Sequence, residues 1–278
     1  MTAVTVREET RPVTRTARRR RRWRGLGLRL YTLGVLAWLM LPIAIIILFG
    51  FNNVHGRFNY RWQGFTLRWY RHPFDIPDLT TALVNSLTIA CIVTAISVVM
   101  GTLAGFALGR WRFLGSRAVE LTLFAVIAAS EIAMATGLLS LFISLGVPRG
   151  YWTIVISQVT FDVAYVAVTV QARMAAFDRS LEEAARDLGA GPLVTFARVT
   201  LPMLLPGIIA GALLAFALSI DDFVITQFNA GKTLTFPLWV YGATRLGIPP
   251  EVNVLGTMIF VGGVLLAAGG VVVQRIRR

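Results

Sequence analysis

The sequence predicts an all-α, polytopic membrane protein with six transmembrane helices, from its composition, its uncharged runs and the placement of its cations. Of 278 residues, 56% are apolar and 15% are charged, whereas soluble domains carry about 25% charged residues. This balance excludes a disordered protein and an ordinary soluble enzyme. The single cysteine, Cys91, also excludes an internal disulfide or a cysteine-based metal cluster.

Six runs with few or no charges mark the predicted spans, and each is long enough for the roughly 20 apolar residues that cross a bilayer. One acidic residue lies within the third run (Glu131) and one within the fourth (Asp162). A tight turn between these two runs is predicted at Gly146-Val147-Pro148-Arg149-Gly150, because glycine and proline favour tight turns. The runs cover residues 30–56, 79–109, 121–148, 150–172, 199–220 and 252–274.

The distribution of Lys and Arg predicts the orientation. With the N-terminus inside, 20 of the 27 cations fall on the cytoplasmic side and 7 on the outer side, so the positive-inside rule places both termini in the cytoplasm. Residues 1–29 are then a basic cytoplasmic tail, 30–274 the membrane domain and 275–278 a short cytoplasmic end. The arginine run 18–22 is interpreted as a disordered topology anchor on anionic lipid, at about 1 kcal/mol per cation. A nucleic-acid partner is not expected, since no folded binding module surrounds the run.

Glycines spaced by four residues recur within two spans. They are Gly101, Gly105 and Gly109 in the second span, and Gly207 and Gly211 in the fifth. Small residues on one helix face allow neighbouring helices to approach closely. The spacing therefore predicts a packed bundle.

The predicted cytoplasmic loop 173–198 carries local signals for a helix, a sharp turn and a second helix. Ser180 followed by Glu183 predicts a capping box at the start of the first helix. Gly189 predicts its end, and Pro192 suits the first position of the second helix. The loop is therefore expected to be compact.

Apolar residues recur at helical spacing in this loop: Leu181, Ala184, Ala185 and Leu188. A helix that presents such a stripe to solvent suits a groove on a partner protein. A helix on the lipid interface, or one folded back on its own bundle, fits the same pattern.

The loop also contains a motif with fixed spacing. Glu183-Ala184-Ala185 is followed by three residues, Gly189, nine residues and Val199-Thr200-Leu201-Pro202. This motif resembles the EAA loop of permease subunits of binding-protein-dependent ABC importers, with Val199 where the family pattern has isoleucine. The resemblance extends over about 79–274. Within the family, four stretches are similar to the second permease of spermidine/putrescine importers, and these are 62–70, 178–185, 215–225 and 249–253.

This resemblance implies a type I ABC importer transmembrane domain in the bacterial inner membrane. The implied partners are a homologous permease, two ATP-binding subunits that hold ATP and Mg, and an extracytoplasmic solute-binding protein. The chain itself is then expected to hold no cofactor and to catalyse no reaction. The residues implied to couple it to the ATPase are Ser180, Leu181, Glu182, Glu183, Ala184, Ala185, Leu188 and Gly189.

Catalytic alternatives have weaker support in the sequence. Gly231-Lys232-Thr233 resembles the end of a phosphate loop, but Thr226 stands where the first glycine is needed, and the segment is expected to be an outer turn. An intramembrane enzyme would have Glu131 and Asp162 as its carboxylate pair, but no companion nucleophile or metal ligand set is present. An ion channel or membrane scaffold would not depend on an ATPase.

Acidic residues in the spans favour a cationic cargo, because an ionisable group inside a membrane normally faces protein or water. Glu131 is predicted to line the passage; Ser130-Glu131 replaces the Pro-Asp that polyamine-type permeases often have, which keeps the charge but loses the proline kink. Asp221 and Asp222 oppose the helix macrodipole at the end of the fifth span, so they are predicted to form an acidic mouth. Trp62 is expected to add cation–π contacts there.

The same residues are also compatible with structural roles. Glu131 would then sit protonated or Arg-paired at a helix contact, Asp221 and Asp222 would be solvated or paired with Lys232, and Trp62 would be an interfacial anchor. Asp162 fits a packing or inter-subunit hydrogen bond equally well. The alternative cargoes are iron(III), a phosphonate or another small solute.

Overall fold

The computed structural model describes residues 15–56 and 58–276, and its regular elements in these ranges are all helical. One isolated bridge joins Asn52 to Phe65. In chain order the helices are α1 (Arg15–Phe49), α2 (Arg68–Arg71), α3 (Pro77–Arg110), α4 (Ser116–Ala128), α5 (Glu131–Ser144), α6 (Tyr151–Ala175), α7 (Ser180–Asp187), α8 (Pro192–Thr195), α9 (Leu201–Asp221), α10 (Val224–Asn229), α11 (Phe236–Leu246) and α12 (Pro250–Ile276), with a π-helical turn Phe196–Thr200 between α8 and α9.

Five helical segments of the described chain are long and apolar enough to span a membrane. They are Gly27–Phe49, Pro77–Arg110, Tyr151–Ala175, Pro192–Asp221 and Pro250–Gly270. The third predicted span is a pair of helices, α4 and α5, bent by 108°. Counting that pair as one span gives six, so the predicted all-α membrane architecture is confirmed with one difference.

The break in the third span corrects the expectation that Ser130-Glu131 removes the kink. Ala129 and Ser130 adopt extended backbone with ψ of 146° and 131°, and Glu131 begins the next helix. A carboxylate in the first turn interacts favourably with the positive end of a helix dipole. The chain therefore bends here without a proline.

The centre of the bundle is α6, and α3 and α9 pack against it. Both glycine ridges face this helix. A Cβ added at Gly105 would collide with the backbone oxygen of Ala167, and one at Gly207 would lie 2.8 Å from Cβ of Arg173. The close packing predicted from the glycine spacing is confirmed, since these helices touch through backbone and short side chains.

A second core lies where α3, α11 and α12 meet. Its buried members are Leu79, Leu83, Val252 and Leu255, packed against Trp239 and other partly buried apolar residues. In contrast, α1 packs mainly against α12 and leaves most of its side chains exposed between Gly27 and Phe49. Such an apolar exposed helix suits lipid or a second membrane subunit.

The segment between α1 and α3 is ordered around the buried side chain of Asn52. Its Nδ2 donates to Asn59 Oδ1 (2.7 Å) and to the Arg61 carbonyl (2.7 Å). Its Oδ1 accepts from Gln63 N (2.7 Å), and its carbonyl accepts from Trp69 Nε1 (2.8 Å). This loop is therefore a folded cap on one end of the bundle.

The structure changes the interpretation of the basic N-terminal segment. Helix α1 begins at Arg15 and continues into the first span, so the arginine run 18–22 is helical and not disordered. Residues 1–14 and 277–278 lie outside the described residues, which leaves those parts of the predicted tail and C-terminal end untested.

Candidate functional site

The loop between α6 and α9 begins with a short helix, and the carboxylate that stabilises its start is not the predicted one. Asp178 Oδ1 accepts a hydrogen bond from Ser180 N at 3.0 Å, which lowers the pKa of Asp178. The predicted Ser180–Glu183 capping box is wrong, because Ser180 is already the first helical residue and the cap position is held by Arg179, which makes no side-chain cap hydrogen bond. The helical content of the segment is as predicted.

The end of α7 is as predicted. Gly189 has φ of +83°, a left-handed conformation that favours glycine at a helix end. Gly189 N donates to the Arg186 carbonyl at 2.8 Å, and Ala190 N donates to the Ala185 carbonyl at 3.0 Å. Pro192 then begins α8 at its first position, so the turn between the two helices is sharp.

Glu182 attaches α7 to the bundle. The residue is only 4% exposed, and its side chain forms an ion pair with Arg110 at the end of α3. It also accepts a hydrogen bond from Thr200 Oγ1 at 2.7 Å, in the π-helical turn that leads into α9. The carboxylate of Glu182 thus joins three segments. Helical periodicity alone did not separate this inward-facing residue from the outward-facing residues of the predicted coupling set.

The other side of α7 is open. Leu188 is 90% exposed and Leu193, in α8, is 84% exposed; Leu181, Glu183 and Ala184 are also exposed, and Ala185 is half-buried. The loop therefore has a charged attachment to its own bundle on one side and an uncovered apolar surface on the other. Hereafter this surface, formed by Leu181, Ala184, Leu188 and Leu193, is called the α7 apolar face.

A cavity of about 300 Å³ lies toward the opposite end of the bundle, within the lower range of volumes known for ligand pockets. It is bounded by α6, the C-terminal end of α9, the start of α10 and the start of α5. In the described part of the chain no Lys, Arg or His lines it. The lining residues are Glu131, Gln158, Phe161, Asp162, Leu218, Ser219, Asp221, Asp222, Phe223, Val224 and Ile225.

Three of the four predicted pathway residues meet in this cavity. Glu131 reaches it as the first residue of α5, Asp221 as the last residue of α9, and Asp222 from the next position. Trp62 is not among the lining residues; it lies in the folded cap between α1 and α3 and is exposed. The break between α4 and α5 makes Glu131 the first residue of a helix, and this helix start lies at the cavity. In a continuous third span, no helix would begin at this position.

Asp222 has a structural role that the sequence argument did not predict. Its Oδ1 accepts from Ile225 N (3.1 Å), and its Oδ2 accepts from Thr226 N (2.9 Å) and Thr226 Oγ1 (2.6 Å). These bonds satisfy free amides at the start of α10. The carboxylate of Asp222 opposes the dipole of α9 but stabilises the start of the next helix, so its position has a structural explanation; the acidic-mouth role stays a prediction. Among the described residues, no ion pair joins Asp221 or Asp222 to Lys232.

Two polar residues of α9 and α6 complete the wall. Gln158 Oε1 accepts from Ser219 Oγ at 2.5 Å, and Gln158 Nε2 donates to Asp222 Oδ2 at 2.9 Å and to Thr226 Oγ1 at 3.0 Å. Sequence reasoning missed Gln158 and Ser219. The available signal was the spacing of Gln158 and Asp162, four residues apart on one face of α6.

The cavity is chemically suited to a cation. Four carboxyl groups and the negative end of the α9 dipole face one small volume, and apolar side chains form the rest of the wall. An intramembrane carboxylate without a cationic neighbour points to an ion or solute pathway. The geometry offers oxygen acceptors to a positive group and apolar contacts to a hydrocarbon chain.

A family model described as "binding-protein-dependent transport system inner membrane component" matches residues 15–278. The chain is 37% identical over 242 residues to the spermidine/putrescine transport system permease protein PotC of Escherichia coli K12, covering 87% of this chain and 91% of the relative. The corresponding protein of Haemophilus influenzae is 37% identical, covering 82% and 88%. The putrescine transport system permease protein PotI of E. coli K12 is 39% identical, covering 80% and 81%.

Solved structures support the same fold. A chain of a bacterial ABC transporter involved in alginate import superposes with a TM-score of 0.64 at 18% identity, covering 96% of this chain and 99% of that one. A chain of the MetNI methionine ABC transporter superposes with a TM-score of 0.60 at 16% identity, covering 71% and 95%. The bundle is thus that of an ABC importer transmembrane domain.

Proposed function

The chain belongs to the family of binding-protein-dependent transport system inner membrane components, and we propose that it forms one half of the membrane passage of an ATP-driven polyamine importer. As a polytopic permease subunit it leaves ATP hydrolysis to a separate ATPase. The observation that carries the choice of cargo is the cavity, which has four carboxyl groups and no cation among the described residues that line it. The chain is also 37–39% identical to permeases named for spermidine and putrescine.

Both termini face the cytoplasm in this proposal. The α7 end of the bundle then carries the excess of cations, which includes Arg110, Arg173, Arg179 and Arg186, as the positive-inside rule requires. The cavity and the folded cap around Asn52 lie toward the outer side, where a solute-binding protein delivers cargo. A homologous permease completes the passage.

The loop helix α7 transmits the motion of the ATPase. Its α7 apolar face docks into a groove on one ATP-binding subunit, in the way that amphipathic helices bind partner grooves. The ion pair of Glu182 with Arg110 and the hydrogen bond from Thr200 hold the opposite side to α3 and α9. Closure of the ATPase dimer around ATP therefore moves the spans through a short, attached lever.

Cross-linking tests the docking. A photo-reactive residue at Leu188, which is exposed, is expected to cross-link to the ATP-binding subunit in assembled importer. The control places the same photo-reactive residue at Leu103, which is exposed on α3 outside this loop, and it should not cross-link to the ATP-binding subunit. Cross-linking of Leu188 to lipid, with none to an ATPase, would remove the coupling role.

Reconstitution tests the transport function. The chain is reconstituted in liposomes with its permease partner, the ATPase and the binding protein. These liposomes are expected to accumulate radiolabelled putrescine or spermidine only when ATP is enclosed in the lumen, which corresponds to the cytoplasm. Uptake independent of ATP would indicate a channel. An assembled, ATP-hydrolysing complex that moves neither polyamine would refute the cargo assignment.

Glu131 provides the residue-level test. Glu131→Gln is expected to lower polyamine uptake by about tenfold at saturating loaded binding protein, the effect of losing one charge-assisted contact. ATPase activity should be retained. The matched control is Glu120→Gln. Glu120 lies in α4, accepts a hydrogen bond from Gln171 Nε2 and does not line the cavity. Equal uptake by wild type and Glu131→Gln would exclude Glu131 from the pathway.

A further inference from the structure

Asp162 is the carboxyl group of the cavity that the functional proposal leaves without a role. It lies near the middle of α6, lines the cavity and is only 2% exposed. From sequence alone, a cargo contact and a packing or inter-subunit hydrogen bond are equally plausible roles for Asp162. Its surroundings in the fold distinguish these possibilities.

The hydrogen bonding of Asp162 differs from that of its neighbours. Its Oδ2 has no hydrogen-bond partner among the described residues. One turn earlier on the same helix, Gln158 uses its amide oxygen and nitrogen in three hydrogen bonds, and Asp222 accepts four. A packing role predicts a partner for a buried oxygen, because an unpaired buried polar atom is costly. Asp162 retains a free acceptor beside an internal space.

The rest of the lining indicates the chemistry of the missing partner. Three further carboxyl groups and the C-terminal end of α9 make the volume electronegative, so an anion is disfavoured and a cationic donor gains more than a neutral one. Phe161, Leu218 and Val224 give the wall an apolar part. A bare inorganic cation gains nothing from such a wall, whereas an alkyl ammonium places its N–H donors on the oxygens and its methylenes on the apolar side chains.

We propose that Asp162 is the innermost ligand of a site within this subunit for one primary ammonium group of the cargo. The proposal rests on the proposed polyamine function and assigns to it a subsite. The ammonium group donates to the free oxygen of Asp162, and Asp221 and Glu131 share its charge. Asp222 contributes less, because its oxygens are already occupied by α10 and Gln158. The hydrocarbon chain of the cargo lies along Phe161 and Leu218.

Equilibrium binding of radiolabelled putrescine tests the site without the binding protein, whose own affinity would mask it. The sample is the complex of both permeases and the ATPase in nanodiscs. Asp162→Asn, close to isosteric, is expected to raise the Kd for putrescine by about 10- to 100-fold, the range for one charge-assisted hydrogen bond. Asp162→Glu should bind within a few-fold of wild type.

The matched control is Ser157→Ala. Ser157 is buried on the same helix, donates to the Thr153 carbonyl at 2.7 Å and does not line the cavity; its variant should bind putrescine as wild type does. Asp162→Ser covers the case in which the amide variant does not assemble with the ATPase. Loss of assembly in both variants would make Asp162 a structural residue and overturn the proposal.

Other outcomes separate this inference from the function on which it rests. Wild-type importer that transports putrescine, together with Asp162→Asn that binds it unchanged, overturns the subsite alone. Wild-type importer that transports no polyamine overturns the functional proposal itself. Displacement of putrescine by an equal concentration of K⁺ would assign the site to an inorganic cation and also overturn the ammonium assignment.

Discussion

The two ends of the bundle treat buried charge in opposite ways. At the α7 end, Glu182 is neutralised by Arg110 and bonded by Thr200. At the other end, Glu131, Asp162 and Asp221 share a cavity with no lining cation in the described chain. A paired buried charge fixes the relative position of the segments it joins, whereas unpaired acceptors are available to a ligand. Under the proposed function, the paired end is the mechanical attachment and the unpaired end is the place of cargo contact.

Breaking the scaffold that connects the two ends should have the largest effect. Gly105→Leu places a side chain against the Ala167 backbone, which cannot withdraw as a flexible side chain would. We expect the variant to be lost from the membrane fraction, with both transport and ATPase assembly abolished. The measurement is the amount of inserted protein by immunoblot.

The control for this scaffold test is Gly34→Leu in α1, where an added Cβ meets nothing within 4 Å. It should insert at wild-type level. Normal insertion of Gly105→Leu would contradict the close contact between α3 and α6.

Breaking the paired end should have the next largest effect. Arg110→Glu leaves two carboxylates together in a buried place, and removal of one partner of a buried ion pair costs about 3–5 kcal/mol. We expect loss of ATP-driven uptake and of ATPase stimulation by the binding protein. Both are measured in proteoliposomes.

Charge reversal provides the control for the ion pair. Arg110→Glu combined with Glu182→Arg restores opposite charges and should recover part of the stimulation. An Arg110→Glu importer with wild-type coupling would show that the pair does not attach α7 to the bundle.

The smallest effect is expected from Asp222, which both lines the cavity and has a structural role. Asp222 lines the cavity, yet its oxygens stabilise the start of α10. Asp222→Ala should lower stability by about 1–2 kcal/mol, as for loss of a helix cap, seen as a lower Tm of the purified complex. Asp222→Asn keeps an acceptor and should retain most of the Tm; equal losses in both variants would argue against the cap.

The sequence predicted features that depend on neighbours along the chain. Uncharged runs located the membrane helices, glycine spacing predicted that helices pack closely in a bundle, and Gly189 located the end of α7. Each depends on local backbone or hydropathy, which a sequence displays directly.

Features that depend on distant segments were not predictable in the same way. Glu182 and Glu183 are adjacent and alike in sequence, but only Glu182 meets Arg110, some seventy positions earlier. The helix cap by Asp222 exists only because a second helix begins directly after α9. The bend at Ala129 and Ser130 contains no glycine or proline that would have indicated it. These depend on tertiary packing, which overrides local propensity.

The comparison between the two ends is tested most directly by neutralising one carboxylate at each end in the same reconstituted importer. Putrescine affinity and ATPase stimulation are measured together for Glu182→Gln and Glu131→Gln. The account predicts that Glu182→Gln loses stimulation and keeps affinity, whereas Glu131→Gln loses affinity and keeps stimulation. Equal losses of both properties in the two variants, or the reverse assignment, would contradict it.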